Sequence, residues 1–297
     1  MKAYIEKIAQ RFDLTETRVV KTPLDPGFVL TEEDFEAEPT AEMVTEMRSI
    51  IGSIAYAMTA VRYDIAYAVS VLSRHLARPC KKVLDAARRV VMYLYWTRDF
   101  SIEWWSSQDE VDAGRANVLT GAVDASFAMD PMTRRSHAGY INFINGGAVS
   151  WKSGLQPIVT LSSCEAEYVA LCSEVCEVKY IRNLLADLGH TQVDSTLIWE
   201  DNRAAILVAQ QECSSAGRCK HIDLRFRFVA MAIKQNIVRV RYTPSEMNMA
   251  DLLTKSLSIK VFERLTEMTK NAQRATFVKG YEEVEVMTTA SLFMIYC

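Results

Sequence analysis

From Val118 onward the apolar pattern changes period, and that change restricts the fold more than any other feature of the chain. Val118–Ala125, Tyr140–Ile144, Ala148–Trp151 and Ile158–Leu161 read as strands, with Asn145-Gly146-Gly147 as a hairpin turn. A long helix is expected from Ser163 to about Leu188, closed by Gly189. The pattern then gives a strand at Thr196–Glu200, helices at Asn202–Gln211 and Lys220–Lys234, a strand at Ile237–Tyr242 and a helix at Met247–Leu257. Antiparallel strands followed by alternating helices and strands imply an α/β fold, a mixed sheet covered by helices.

The first third is built differently. Residues 1–21 carry helical periodicity through Tyr4-Ile-Glu-Lys-Ile-Ala-Gln-Arg-Phe12. Residues 22–42 are rich in Pro and acidic side chains, which reads as an extended, solvated linker. From Val44 to about Arg98 two helices follow. One passes through Ile50, Ile54, Met58 and Val61, breaks near Arg62-Tyr63-Asp64 and resumes to Leu76; the other carries Val83, Ala87, Val90, Val91 and Tyr95 on one face. With 49% apolar and 24% charged residues among 297, a sizeable core is affordable. A net charge of -3 argues against coating nucleic acid by bulk charge but leaves room for a local basic groove. The apolar run Ile50–Val61 is too short to span a bilayer, and the N-terminus lacks a signal peptide's apolar core. Seven cysteines without a Cys-x-x-Cys pair point to a reducing, intracellular setting, and Cys172 and Cys176, one turn apart, read as helix packing.

Four acids fall at element boundaries: Asp124 at the end of the first strand, Glu167 in the first turns of the long helix, Asp201 after the fourth strand and Asp251 opening the last helix. Carboxylates at the ends of neighbouring strands and adjoining helices can converge. Such a cluster repels itself unless cations sit within it, and hard oxygen ligands suit Mg²⁺ or Mn²⁺. Caps and macrodipole partners are the competing reading, since Asp and Glu are common at such boundaries. If the four converge, two-metal phosphoryl transfer is the natural chemistry, and removing one charge by Asp124→Asn or Asp201→Asn relieves repulsion in the metal-free protein.

The residues around these acids carry a resemblance. Gly121-Ala-Val-Asp-Ala-Ser-Phe-Ala128, Arg134-Arg-Ser136, Gly139-Tyr140, Ala148-Val-Ser-Trp-Lys-Ser153, Leu161-Ser-Ser-Cys-Glu-Ala-Glu-Tyr-Val-Ala-Leu171, Glu200-Asp-Asn202, Lys220-His-Ile-Asp223 and Ala250-Asp-Leu-Leu-Thr-Lys255 follow one another in the order seen in copia-type retrotransposon ribonucleases H. Upstream, Lys21-Thr-Pro-Leu24, Ile51-Gly-Ser-Ile-Ala-Tyr56, Arg62-Tyr-Asp-Ile65 and Ala86-Ala-Arg-Arg-Val-Val-Met-Tyr-Leu94 are similar to the segment behind that family's reverse transcriptase. The resemblance covers roughly residues 4–265. It implies a ribonuclease H-like mixed five-stranded sheet with flanking helices, preceded by a helical segment. It also implies an endoribonuclease that cuts the RNA strand of RNA–DNA hybrids, leaving 5′-phosphate and 3′-hydroxyl ends. Asp124, Glu167, Asp201 and Asp251 would hold two Mg²⁺ ions, or Mn²⁺, and no protein nucleophile is needed. RNA would be told from DNA by its 2′-hydroxyls.

The implied organisation is an N-terminal segment and acidic linker over 1–42, a helical connection segment over 43–110, a ribonuclease H domain over 115–265 and an unassigned tail over 266–297. Implied partners are the hybrid and the reverse transcriptase domain of the parent polyprotein, with no membrane; the implied setting is a cytoplasmic particle or the nucleus. Arg134, Arg135, Ser136, Lys152, Asn202, Lys220, His221 and Lys255 are the candidate hybrid contacts. Arg218, Arg225, Arg227, Arg239 and Arg241 form a second basic group, whose competing reading is a solvated face.

Three departures stand out. The family's Asp-Ala-Asp-Trp reads Asp124-Ala-Ser126-Phe127, Tyr63 replaces a usual Pro, and Ser-Ser-Thr-Glu reads Ser162-Ser-Cys164-Glu165. The first departure supports an alternative, a catalytically silent remnant that binds hybrid or supports a polymerase. No Tyr-x-Asp-Asp motif of a polymerase palm is present. Ser162 to Glu165 has the form of a capping box; Glu165 and Glu167 lie two residues apart and point about 200° from each other, so only one can face the other acids, and the resemblance implies that it is Glu167. His221 stands either as a substitute for a metal-proximal histidine or as a helix-start residue. His75, His137 and His190 are expected at the surface or in turns, and Trp104, Trp105, Trp151 and Trp199 in the core.

Overall fold

The structure, a computed structural model, describes residues 1–112, 116–211 and 220–270. Its centre is a mixed five-stranded sheet in the order β3-β2-β1-β4-β5. β1 (Leu119–Ser126) pairs antiparallel with β2 (His137–Ile144), which pairs antiparallel with β3 (Gly147–Leu155). β1 is parallel to β4 (Thr196–Glu200), and β4 to β5 (Val238–Tyr242). Asn145 and Gly146, both at positive φ (51° and 77°), make the β2–β3 hairpin turn, as their identities require. The expected mixed sheet with flanking helices is therefore the observed one.

Strand alternation divides the molecule into two cores. Leu119, Val123 and Ala125 of β1 face α6 (Ser163–Asp187), α7 (Arg203–Gln210) and α8 (Lys220–Lys234), against Ala170, Leu171, Val175 and Val178 of α6. Ala122, Ile141, Phe143 and Ala148 face the opposite way, onto the helices of the first third. These are α1 (Lys2–Arg11), α2 (Ala41–Ala60), α3 (Ala66–Ser73) and α4 (Lys81–Trp96), with the short α5 (Gln108–Asp112) following before the sheet. Ile50 and Ile54 of α2 and Val83, Ala87, Val90 and Val91 of α4 are buried here, at the helical spacing read from the sequence, whereas Ala57 takes the buried position beside a half-buried Met58. Each fully buried Ile, Leu or Val is worth roughly 1.5–3 kcal/mol relative to exposure.

The break between α2 and α3 is held by a buried ion pair. Arg62 donates from Nε and Nη2 to the two carboxylate oxygens of Asp64 (2.9 and 2.7 Å), and the Tyr93 hydroxyl donates to the same carboxylate at 2.6 Å. The next residue, Tyr63, is buried and donates to Thr269 Oγ1 at 2.8 Å. Thr269 belongs to α9 (Ile259–Lys270), a helix the sequence reading did not anticipate.

Several expectations are corrected. Ile158–Leu161 is a loop, because Pro157 has no N–H for a ladder; β3 instead runs on to Leu155. Met247–Leu257 is not one helix but two 3-10 turns, Ser245–Met247 and Met249–Leu253. Asn248 divides them: its Oδ1 accepts from Ala250 N–H and its Nδ2 donates to Val123 O at 2.9 Å. The acidic segment is not solvated throughout. Thr22, Leu24 and Leu30 are buried, and Asp25, Asp34 and Glu38 pair with Arg89, Lys82 and Arg78. Trp104 and Trp105 are exposed, at 55% and 64%, while Trp151 and Trp199 are partly buried against the core. Cys172 packs against the α6 core but Cys176 is exposed.

One buried acid in α6 belongs to the fold and not to the acidic group. Glu174 is completely enclosed over Gly121, with Asn142 Nδ2 donating to its Oε2 at 3.2 Å. A Cβ at residue 121 would overlap Glu174 Oε1, so only glycine leaves room for the carboxyl. Burial pushes this carboxyl well above its ordinary 4.5, an effect opposed by the Asn142 hydrogen bond and reinforced by Glu177. A raised acid contributes stability that is fully present below its unfolded pKa and is lost as pH rises through the folded one. Glu174→Gln keeps the volume and can donate to Asn142 Oδ1, which has no hydrogen-bond partner. The variant is expected to melt close to wild type near about pH 5 and above it near about pH 9. Thermal denaturation at both pH values checks this; parallel curves would contradict a neutral Glu174. Gly121→Ala is expected to destabilise by roughly 1–3 kcal/mol in the same assay.

Candidate metal centre

The parallel pairing of β1 and β4 brings the first two acids together. Thr120 lies opposite Leu197 and Ala122 opposite Trp199, so the same register carried on sets Asp124 level with Asp201. Asp124 is 1% exposed on the central strand, and Asp201 stands directly after β4. Glu167 arrives from α6. Ser162 caps that helix by accepting from Glu165 N–H at 3.1 Å, and Glu165 Oε2 accepts from Leu161 N–H at 2.7 Å, one residue earlier than a capping box would have it. Glu165 is half-buried and Glu167 buried, in keeping with opposite faces of a helix. One carboxylate oxygen from each of Asp124, Glu167 and Asp201 lies within 4.8 Å of the others.

Asp251 joins through a cation. It sits in the Met249–Leu253 turn, where its Oδ1 accepts from Lys255 Nζ at 2.6 Å, and that ammonium is also 3.3 Å from Asp124. Thr254 Oγ1 donates to the remaining Asp124 oxygen. Three further contacts seat this turn on the sheet. Asn248 reaches β1 beside Asp124. Gly139 lets Leu253 lie flat on β2, where a Cβ would come within 2.5 Å of the Leu253 Cβ. Ser153 Oγ donates to Leu253 O at 2.6 Å, and so accepts from His137 Nε2–H at 2.8 Å.

His137 is thus not a surface residue: it is 3% exposed, and burial lowers its pKa to about 4, keeping the ring neutral. Its place was legible in the alternation His137, Gly139, Ile141, Phe143, all pointing to one face. Of the other two, His75 is half-buried and stacked on Phe35, and His190 is exposed.

The electrostatics are those of crowded, desolvated acids. Burial first, then Glu200, Asp124 and Asp201, push Glu167 up to about 11. Burial and Asp124 raise Asp251 to about 7, and the same two causes raise Asp201. Glu200 is a fifth acid that the sequence reading missed. It is fully buried, raised well above the ordinary carboxylate range by burial, and strongly felt by Glu167. The signal was present, since Thr196, Ile198 and Glu200 alternate inward along β4. Glu167 Oε2 and Glu200 Oε2 are buried without a hydrogen-bond partner. Hard oxygens in excess, two of them orphaned, fit a divalent cation held by Asp124, Glu167 and Asp201.

The candidate hybrid contacts divide. Arg134 and Lys152 are exposed, as are Arg239 and Arg241 on β5. Arg135 is half-buried, its Nε donating to Gln156 O. Ser136 is fully buried, its hydroxyl shared with Thr160 and accepting from Ala128 N–H, so it braces the loop and does not face solvent. Asn202 caps α7 and donates its backbone N–H to Glu200. Lys220 and His221 open α8, but their side chains lie outside the described residues, as do Arg218 and the tail after Lys270. Ser126 and Phe127 contribute no atom to the acidic group among the described residues.

No protein-family model matches the chain. It is 32% identical over 268 residues to the retrovirus-related Pol polyprotein from transposon TNT 1-94 of Nicotiana tabacum, covering 89% of this chain and 19% of that protein. To the retrovirus-related Pol polyprotein from transposon RE1 of Arabidopsis thaliana it is 29% identical over 262 residues, covering 88% of this chain and 17% of that protein. The chain spans less than a fifth of the length of these curated relatives. Among solved structures it is similar to LC11-RNase H1 in complex with RNA/DNA hybrid, at 16% identity and a TM-score of 0.34, over 46% of this chain and 93% of that one. The homologues of this chain are retrotransposon Pol polyproteins, and its match to them is that of a copia-type polyprotein segment.

Proposed function

We propose that residues 115–265 are a ribonuclease H domain that hydrolyses the RNA strand of RNA–DNA hybrids during retrotransposon reverse transcription, beside the reverse transcriptase of the parent polyprotein. The observation that carries this reading is the convergence of Asp124, Glu167 and Asp201 within 4.8 Å, with Asp251 tied to Asp124 through one ammonium. The homology to Pol polyproteins supports it. Two divalent cations, Mg²⁺ or Mn²⁺, would be held by these four acids; when bound, such ions supply an acidified water and neutralise the phosphate and the leaving oxygen.

The chain's own part is positional. The β1–β4 register sets the distance between Asp124 and Asp201, α6 brings Glu167 in from one side, and the Leu253 turn brings Asp251 from the other. The buried acids hold protons in the metal-free state and release them as ligands, so metal binding is coupled to proton loss. Arg134 and Lys152, both exposed, would meet phosphates of the hybrid, contacts that position a duplex without reading its sequence.

Purified full chain with Mg²⁺ is expected to cut labelled RNA in a hybrid and to spare single-stranded RNA and duplex DNA. Equal loss of all three, or cutting unaffected by chelator, would sink the assignment.

The two neighbouring glutamates separate site from scaffold. Glu167→Gln is expected to abolish Mg²⁺-dependent cleavage while the metal-free melting temperature holds or rises, because an orphaned carboxyl among acids is removed. Glu165→Ala is expected to keep activity and lose at most about 1 kcal/mol of stability with the cap contact. Asp124→Asn gains less than charge relief alone suggests, since it gives up Lys255. A dead Glu165 variant beside an active Glu167 variant would overturn the helix register and the site together.

A further inference from the structure

Lys255 stands between Asp124 and Asp251. Asp251 is not among the acids whose oxygens share 4.8 Å; it is joined to Asp124 by the Lys255 ammonium, 2.6 Å from Asp251 Oδ1 and 3.3 Å from both oxygens of Asp124. The lysine stands four residues after Asp251, so the chain folds it straight back over that carboxylate. Only a third of its side chain is exposed, against 1% and 10% for its two partners. Asp124, Asp251 and Asp201 outweigh its burial and hold it charged. Among the described residues, this one monovalent charge acts on Asp124, Glu167, Asp201 and Asp251, with Glu200 behind them, and two buried oxygens on the Glu167–Glu200 side remain without a partner.

We propose that Lys255 is the resident counter-ion of the metal-free site, holding the Asp124–Asp251 position until a divalent cation displaces it. This rests on the metal-centre reading above. A divalent ion bridging Asp124 and Asp251 and an ammonium 2.6 Å from one of them cannot occupy the same space, so loading that position requires the side chain to swing out. Lys255 thereby tunes how tightly the second cation binds, and once displaced it is a free cation at the rim for a phosphate of the hybrid. A lysine that only gripped phosphate would affect hybrid affinity and leave metal affinity alone.

The test is Mn²⁺ binding by calorimetry to the full chain and to Lys255→Met and Lys255→Arg, without nucleic acid. Lys255→Met should bind Mn²⁺ tighter, on the order of tenfold at the weaker site, and melt lower than wild type without metal. Lys255→Arg, which keeps the charge, should stay near wild type in both. Mn²⁺ bound by wild type with unchanged or weaker affinity in Lys255→Met overturns the counter-ion role alone; Mn²⁺ bound by neither protein overturns the metal centre as well. Should Lys255→Met fail to fold, the wild-type protein decides: with lysine side chains labelled with ¹⁵N, the Lys255 ammonium resonance should shift on saturation with Mg²⁺, and an unmoved resonance refutes displacement.

Discussion

Like charges held out of water repel, and the second half of this chain is arranged around that repulsion. Asp124, Glu167, Glu200, Asp201 and Asp251 are drawn together by elements whose own reasons for folding are apolar: the α6 face of the sheet packs on Leu171 and Val175, and its other face on the helices of the first third. The free energy of these two cores holds the acids closer than they would choose. Protonation of the buried members and the Lys255 ammonium lower the cost in the metal-free protein. Neither satisfies the orphaned oxygens of Glu167 and Glu200.

The helical first third is part of this arrangement. Its helices cover the sheet face from which Gly139, Ser153 and His137 receive the Leu253 turn, and Tyr67 of α3 lies edge-on to the His137 ring. Apolar cover makes His137 neutral, a neutral His137 donates to Ser153, and Ser153 fixes the carbonyl two residues past Asp251. Packing more than a dozen residues away in sequence thus reaches an acid at the centre.

Much of this was legible in the sequence where period and chemistry agreed. The β2–β3 turn followed from Asn145-Gly146, and the opposite faces of Glu165 and Glu167 from helical geometry. The failures have physical causes. Ile158–Leu161 has the composition of a strand, but Pro157 interrupts the ladder. Met247–Leu257 has helical spacing, but Asn248 spends its side chain on a cap and on Val123 O, and the backbone turns twice instead. The acidic segment looked solvated because its basic partners lie far along the chain, on α4 and in the loop before it, beyond the reach of any local pattern. Glu200 was overlooked because a carboxylate at the inward end of a strand reads as an error of alternation unless its neighbours are known.

On the proposed reading, these carboxylates converge in order to hold divalent cations. A crystal of the full chain soaked in Mn²⁺ tests it directly through the anomalous signal of the metal. A peak is expected among the oxygens of Asp124, Glu167 and Asp201, and, as a second site fills, a peak between Asp124 and Asp251 with Lys255 displaced. Saturating Mn²⁺ with no peak among these acids, and Lys255 still on Asp124, would contradict it.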